Sequence, residues 1–198
     1  MLFNKTLDNL KNRLKQLPGV GEKTAQRYAL FLLSQNKEHS LGLADTIREA
    51  VENHSFCDIC NILSDTNPCP ICNDPRRDNS LLCVVENTYD VFLIENTAEF
   101  NGYYFVLGHL LSPMEGIGTN EIHLPELLVK VAKAEVTEVI LALNPSAEGE
   151  TTIELIASEI AALNKQVTRL STGLPFGGNI EYSNPLTLSN ALKRRYSV

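Results

Sequence analysis

Apolar residues at Leu7, Leu10, Leu14 and Leu17 recur at steps of three and four, the spacing that lines one face of an α-helix. The stretch LPGVG then halts that pattern. Further helices are predicted through EKTAQRYALFLLSQ and LADTIREAVENH, so residues 1–55 read as an all-helical domain. Residues 56–78 change character: four Cys, three Pro and short polar links leave too few apolar side chains for a core. From Leu81 the pattern changes again. Runs rich in β-favouring residues occur at LLCVVE, DVFLIE, GYYFVLG, EVILAL and QVTRLS, and helical periodicity lies between them at LPELLVKVAKAE and TTIELIASEIAALN. Strands and helices in alternation predict an α/β domain over residues 79–175, its sheet mostly parallel and covered on both faces, with ligands at the carboxyl ends of the strands. The chain turns Gly- and Pro-rich from Thr172, and a last segment, 176–198, carries a short helix at TLSNALKRR. The fold class is therefore multidomain, α and β.

At 198 residues and 43% hydrophobic, the chain buries a core without help from disulfides. It has no N-terminal apolar leader and no apolar run of the roughly twenty residues needed to span a membrane, which points to the cytoplasm and to reduced cysteines. Its net charge of −7 argues against a general polyanion binder, but the charge is uneven. Lys5, Lys11, Arg13, Lys15, Lys23 and Arg27 face only Asp8 and Glu22 within the first 28 residues. Any nucleic acid is expected at this end; a solvated basic helix accounts for the same charges.

In LKQLPGVGEKTAQRYA, Pro18, Gly19 and Gly21 make a tight turn between two helices. The N–H groups of such a turn, with the N-terminus of the next helix, form a concavity suited to a phosphate oxygen. Lys23 and Arg27 are four apart and share a helix face beside it, where they can reach phosphates of the same strand. This is backbone recognition, blind to base sequence. The plainer alternative is an αα-hairpin whose glycines only shape the turn. The pattern resembles the helix-hairpin-helix of DNA repair proteins.

Cys57 and Cys60 form one C-x-x-C, and Cys69 and Cys72 a second. Two such knuckles present four thiolates as the corners of a tetrahedron, the ligand set of structural zinc. Disulfides are the alternative. With no core of its own, the segment is expected to fold on the metal. Cys83, in the apolar run LLCVVE, reads as a buried small hydrophobe.

LLCVVE ends at Glu86, and VILALNPSAEGET brings Asn144, Ser146, Glu148 and Glu150 to what should be the same sheet edge. The pair resembles the Toprim domain of topoisomerases and primases, whose carboxylates hold magnesium for phosphoryl transfer. Here Asn144 and Ser146 stand where two of its acids are expected, and magnesium relies on carboxylate oxygen. Glu86, Asn144 and Glu148 therefore read as a weak or conditional metal site or as a polar surface used in assembly. A magnesium-dependent nuclease or primase-like enzyme using Glu86 and Glu148 is the rival, and helix-terminal acids beginning near Thr151 are the plain reading. No P-loop motif occurs.

Taken in order, LPGVGEKTAQR, CDIC with CPIC, CVVE, GHLLSPMEGIG, LNPSAEGE and TGLPFGGNIEY followed by TLSNAL resemble the bacterial RecR family of recombination mediators along essentially the whole chain. That resemblance implies a non-enzymatic, cytoplasmic and nucleoid-associated protein of DNA repair. It would act with RecO and RecF to help load RecA on gapped DNA coated by single-strand-binding protein. It also implies a ring-like homotetramer around DNA, with Lys23 and Arg27 facing the hole, zinc on the four cysteines, and Glu86 and Glu148 near the partner-binding side. His109, Gly173, Gly177 and Gly178 would serve loop geometry and subunit contacts, and segment 176–198 assembly.

Overall fold

Helix α1 (Lys5–Leu14) packs on α2 (Glu22–Ser34), and the face α2 turns inward carries the small residues Ala25 and Ala29, both fully buried. Two alanines four apart let helix backbones approach closely. Leu17, predicted on the first helix, falls in the turn beyond it. Helix α3 (Lys37–Asn53) starts before LADTIREAVENH because Asn36 caps it, its side chain accepting from the His39 N–H at 2.8 Å. The computed structural model describes residues 5–174 and 176–195 and separates into one unit up to His54 and a second from Ser55.

The second unit opens with β1 (Ser55–Phe56) paired antiparallel to β2 (Leu63–Ser64). Its main sheet has the order β4-β3-β5-β6, formed by β3 (Asp78–Val85), β4 (Gly102–Val106), β5 (Glu138–Ala142) and β6 (Gln166–Arg169). All three pairings are parallel, as predicted. Helices α4 (Thr88–Glu95), α5 (Leu124–Val131) and α6 (Ala147–Ala161) make the crossovers, and α7 (Pro185–Lys193) follows.

One predicted strand is a helix. DVFLIE lies in α4, because Asn87 and Asp90 close a reciprocal cap: the Asn87 side chain accepts from the Asp90 N–H at 3.2 Å, and the Asp90 carboxylate accepts from the Asn87 N–H at 3.1 Å. Burial on a helical face explains the rest: Val91 is fully buried while Phe92 is 53% exposed.

Alternation along the strands sorts the core into two layers. Leu82 and Val84 of β3, Phe105 of β4 and Val139 and Leu141 of β5 face α5 and α6, meeting Leu127, Val131, Ile156 and Ile160. Cys83, Val85, Tyr104, Val106 and Ala142 face the other way. That second layer is covered by Val91 of α4 and by Cys57, Cys60, Ile62 and Cys69. The cysteine segment therefore does the work of a helix, which revises the expectation that it has no core: it shares one with the sheet. Main-chain bonds hold it there, with Val106 N–H donating to the Cys60 carbonyl at 2.9 Å and the Asn61 side chain donating to the Val106 carbonyl at 2.9 Å. Cys83 is buried as predicted, and burial pushes its thiol up to about 12. Among the described residues, no helix is long and apolar enough to cross a membrane.

A half-buried ion pair stitches the start of β3 to α4 and β4. Arg77 binds both carboxylate oxygens of Glu95 and donates to the Gly102 carbonyl at 2.9 Å, while the Tyr104 hydroxyl donates to Glu95 at 2.6 Å. The Arg77 side chain is 12% exposed and that of Glu95 28%. The Arg77 hydrogen bond holds the Glu95 carboxyl below its ordinary 4.5, against burial. A depressed folded value stabilises the fold above the unfolded pKa, and that stabilisation is lost as pH falls through the folded value. Glu95→Gln should cost about 2 kcal/mol near neutral pH. It should also make the loss of stability below pH 4.5 shallower than in the wild type. Urea unfolding across that range measures both, and identical acid limbs would refute the assignment.

Candidate nucleic-acid interface and metal centre

In the helical unit, Gly19 adopts φ +75°, the left-handed region that favours glycine. Gly21 precedes α2 with ordinary extended backbone, and nothing lies within 4 Å of where a Cβ would stand. Lacking a side chain, it leaves the first N–H groups of α2 without a cap. Glu22 draws in Lys11 at 3.0 Å and also pairs with Lys15, and Asp8 meets Lys11 at 3.5 Å. Both acids of this region are thereby neutralised. Lys23 and Arg27 stay exposed and, among the described residues, without an ion pair. Lys5 and Arg13 are likewise without an ion pair among the described residues, and the sequence, which had singled out Lys23 and Arg27, did not show that Lys11 and Lys15 are the cations engaged.

Cys57, Cys60, Cys69 and Cys72 bring their sulfurs within 4.8 Å of one another. Both knuckles use the same turn: Asn61 N–H donates to the Cys57 carbonyl at 2.8 Å and Asn73 N–H to the Cys69 carbonyl at 3.0 Å. Backbone N–H groups of Cys69 and Cys72 reach Sγ of Cys57 and Cys69, each at 3.4 Å. Cys60 and Cys69 sulfurs lie 3.5 Å apart, against roughly 2.05 Å for a disulfide and about 3.8 Å for the edge of a tetrahedron with 2.3 Å metal–sulfur bonds. All four are free thiols. Hydrogen bonds from Cys60 and then Cys72 lower the Cys69 thiol below its usual 9.0, and the contact with Cys69, then Cys72 and burial, raises Cys60. The donor set fits a closed, four-coordinate metal site with no position left for a substrate. Among the described residues it is the only group of three or more Cys, His, Asp or Glu able to close on a metal.

At the carboxyl edge of the sheet, Val85 of β3 pairs with Ala142 of β5, which sets Glu86 beside Asn144 as expected. The Asn144 amide donates to Glu86 Oε2 at 3.1 Å. Ser146 and Glu148 do not join them. Ser146 caps α6, accepting from the Gly149 N–H at 3.0 Å, so this helix starts at Ala147 and not near Thr151. Glu148 stands exposed in its first turn, and Glu150 is held by both terminal nitrogens of Arg169, at 2.6 and 2.8 Å. Arg169 was not singled out from the sequence; only its place at the end of QVTRLS hinted at it. Next to this edge a cleft of about 1050 Å³ is lined by Asp90, Ser146, Glu150, Arg169, Thr172 and Arg194. Arg194 donates to the Thr172 hydroxyl at 2.7 Å, tying the end of α7 to the loop after β6. His109 is exposed at the end of β4, and the left-handed residue there is its neighbour Gly108, at φ +82°. Gly177 also takes positive φ, +76°, whereas a Cβ placed on Gly173 would stand at ordinary contact distance, 3.7 Å, from the Ala191 Cβ.

Residues 7–51 match the family described as RecR, helix-hairpin-helix; residues 80–171 match the Toprim domain; residues 173–196 match RecR, C-terminal. The chain is 42% identical over 198 residues to "Recombination protein RecR" of Bifidobacterium adolescentis, spanning 100% of this chain and 99% of that one. It is 45% identical over 195 residues to the protein of the same name from Carboxydothermus hydrogenoformans, covering 98% of each. The protein of that name from Gloeobacter violaceus is 44% identical over 197 residues, covering 100% of both chains.

The chain belongs to the RecR family. Its Toprim domain is therefore one in which the second strand end reads Asn144-Pro145-Ser146. Gly149 shows how tightly that end is built: a Cβ there would stand 1.9 Å from the Asn144 carbonyl oxygen. Glycine lets α6 start under this loop, and any side chain there must push the Asn144 carbonyl aside. Gly149→Ala should cost about 2–3 kcal/mol by overpacking, measured by urea unfolding. A variant as stable as the wild type would mean that the loop yields freely.

Proposed function

We propose that this RecR-family chain is a recombination mediator of DNA repair: a zinc-containing, ring-forming, non-catalytic clamp that grips DNA without regard to sequence. It acts with RecO and RecF to help load RecA on gapped DNA coated by single-strand-binding protein, in the cytoplasm and at the nucleoid. The observation that carries this reading is the unneutralised pair Lys23 and Arg27 beside the uncapped start of α2 and the Gly19 turn. Free N–H groups and two cations at one helix start suit the non-bridging oxygens of a phosphodiester. The open space at Gly21 leaves room for a DNA backbone to come close.

A net charge of −7 would oppose such binding in a monomer. A ring of identical subunits removes the difficulty, because each adds its few cations to one lumen and weak phosphate contacts combine through effective concentration. The four cysteines hold zinc and keep the Toprim sheet covered; Glu86, Asn144 and Glu148, with the adjoining cleft, form the partner-facing surface. The rival magnesium enzyme finds little support, since the group that meets Glu86 is an amide donor and Glu150 is engaged by Arg169.

Reversing both charges, Lys23→Glu with Arg27→Glu, should abolish binding to gapped DNA at moderate salt and leave the solution mass unchanged. Fluorescence anisotropy over a salt series, alongside light scattering, is the measurement. A correctly assembled double variant that binds DNA as well as the wild type, with the same salt slope, would exclude this interface.

A further inference from the structure

One cation near the cysteine cluster belongs to neither knuckle. Lys130, in the last turn of α5, donates from its ammonium to the Ile59 carbonyl at 3.3 Å and to the Tyr104 carbonyl at 3.2 Å. Ile59 lies inside the first knuckle, between Cys57 and Cys60. Tyr104 lies in β4, on the sheet face that shares its core with the cysteines. A single side chain thus joins three elements: knuckle, sheet and the helix from the opposite layer. Lys130 also borders two clefts, one of about 280 Å³ whose wall includes Cys72 and one of about 460 Å³ whose wall includes Cys57.

The chemistry of the donor set gives this position meaning. Four thiolates around a divalent ion leave two net negative charges in a partly buried site, which favours a compensating cation nearby. An ammonium has three N–H donors, and the two carbonyls use two of them. Lysine side chains are seldom drawn into a protein without such a counter-charge. Burial lowers the Lys130 pKa, and the neighbouring Cys72, Cys60 and Cys57 oppose that shift. Lys133, one turn on and bordering the same two clefts, is exposed and makes neither carbonyl bond.

We propose that Lys130 is a positioning residue of the metal site: it clamps the first knuckle to β4 and offsets the thiolate charge, so that retention of zinc depends on α5. This rests on the four cysteines holding zinc. Partners of this kind around a metal typically change its affinity by roughly 10- to 100-fold when removed.

The test is zinc release from the full-length chain into a chromophoric chelator, with metal content measured first by atomic emission. Lys130→Gln keeps hydrogen-bonding capacity and drops the charge; it should fold, by circular dichroism, and lose zinc about ten-fold faster than the wild type. Lys130→Arg and Lys133→Gln should release at the wild-type rate. Wild-type release from a folded Lys130→Gln, or fast release from Lys130→Arg, would overturn the assignment. A wild-type chain that carries no stoichiometric zinc would instead refute the metal reading on which it stands.

Discussion

The strict alternation along β3 is the constraint on which the second unit depends. Leu82 and Val84 must face α5 and α6, and Cys83 and Val85 must face α4 and the cysteine cluster. Slipping β3 by one residue against β4 and β5 would send each set to the wrong layer. The same register leaves Glu86 within reach of the Asn144 side chain once the strands end. Docking of the cysteine segment and composition of the carboxyl edge are thus two consequences of one pairing, although they lie on different parts of the sheet.

That pairing also explains why a metal segment sits where it does. An open parallel sheet needs both faces covered. On one side two amphipathic helices supply the cover; on the other, α4 is only eight residues long and presents Val91 as its fully buried side chain. Cys57, Cys60, Ile62 and Cys69 complete that side. Thiols are apolar enough to stand in a core and, tied to a metal, stiff enough to act as one. A metal held there would stabilise more than its own loop, since Tyr104 and Val106 lose their cover if the knuckles open.

Much of this was legible in the chain itself. C-x-x-C twice, the glycine turn and the strand-end motifs carry their chemistry in fixed spacings, and spacing survives without a structure. What was not legible depended on competition between local signals. DVFLIE has the composition of a strand, yet the reciprocal bonds of Asn87 and Asp90 start a helix there. Similarly, Ser146 sets the start of α6 and so removes itself from the site to which its position had assigned it. Pairing of charges was hidden for a related reason. Six basic residues look alike in a row, but Glu22 reaches Lys11 and Lys15 across the hairpin, and only folding decides that Lys23 and Arg27, like Lys5 and Arg13, carry no ion pair among the described residues. Lys130 carried no motif at all, since its meaning comes from carbonyls 71 and 26 residues away.

The substitution at the sheet edge has an electrostatic logic of its own. Two carboxylates at hydrogen-bonding distance repel, and they persist together only with a shared proton or a cation between them. An acid at position 144 would put Glu86 in that position. Asparagine converts the repulsion into an N–H···O bond of 3.1 Å, so the edge is held together without an ion. Ser146 contributes in the same way, spending its oxygen on the start of a helix. What remains is a preorganised polar edge on a rigid sheet, with one exposed acid, Glu148, and a cleft beside it whose own acid, Glu150, is matched to Arg169. Such an edge is held by its own hydrogen bonds, Asn144 to Glu86 and Gly149 to Ser146, so its shape follows from the chain's own groups and needs neither metal nor substrate to maintain it.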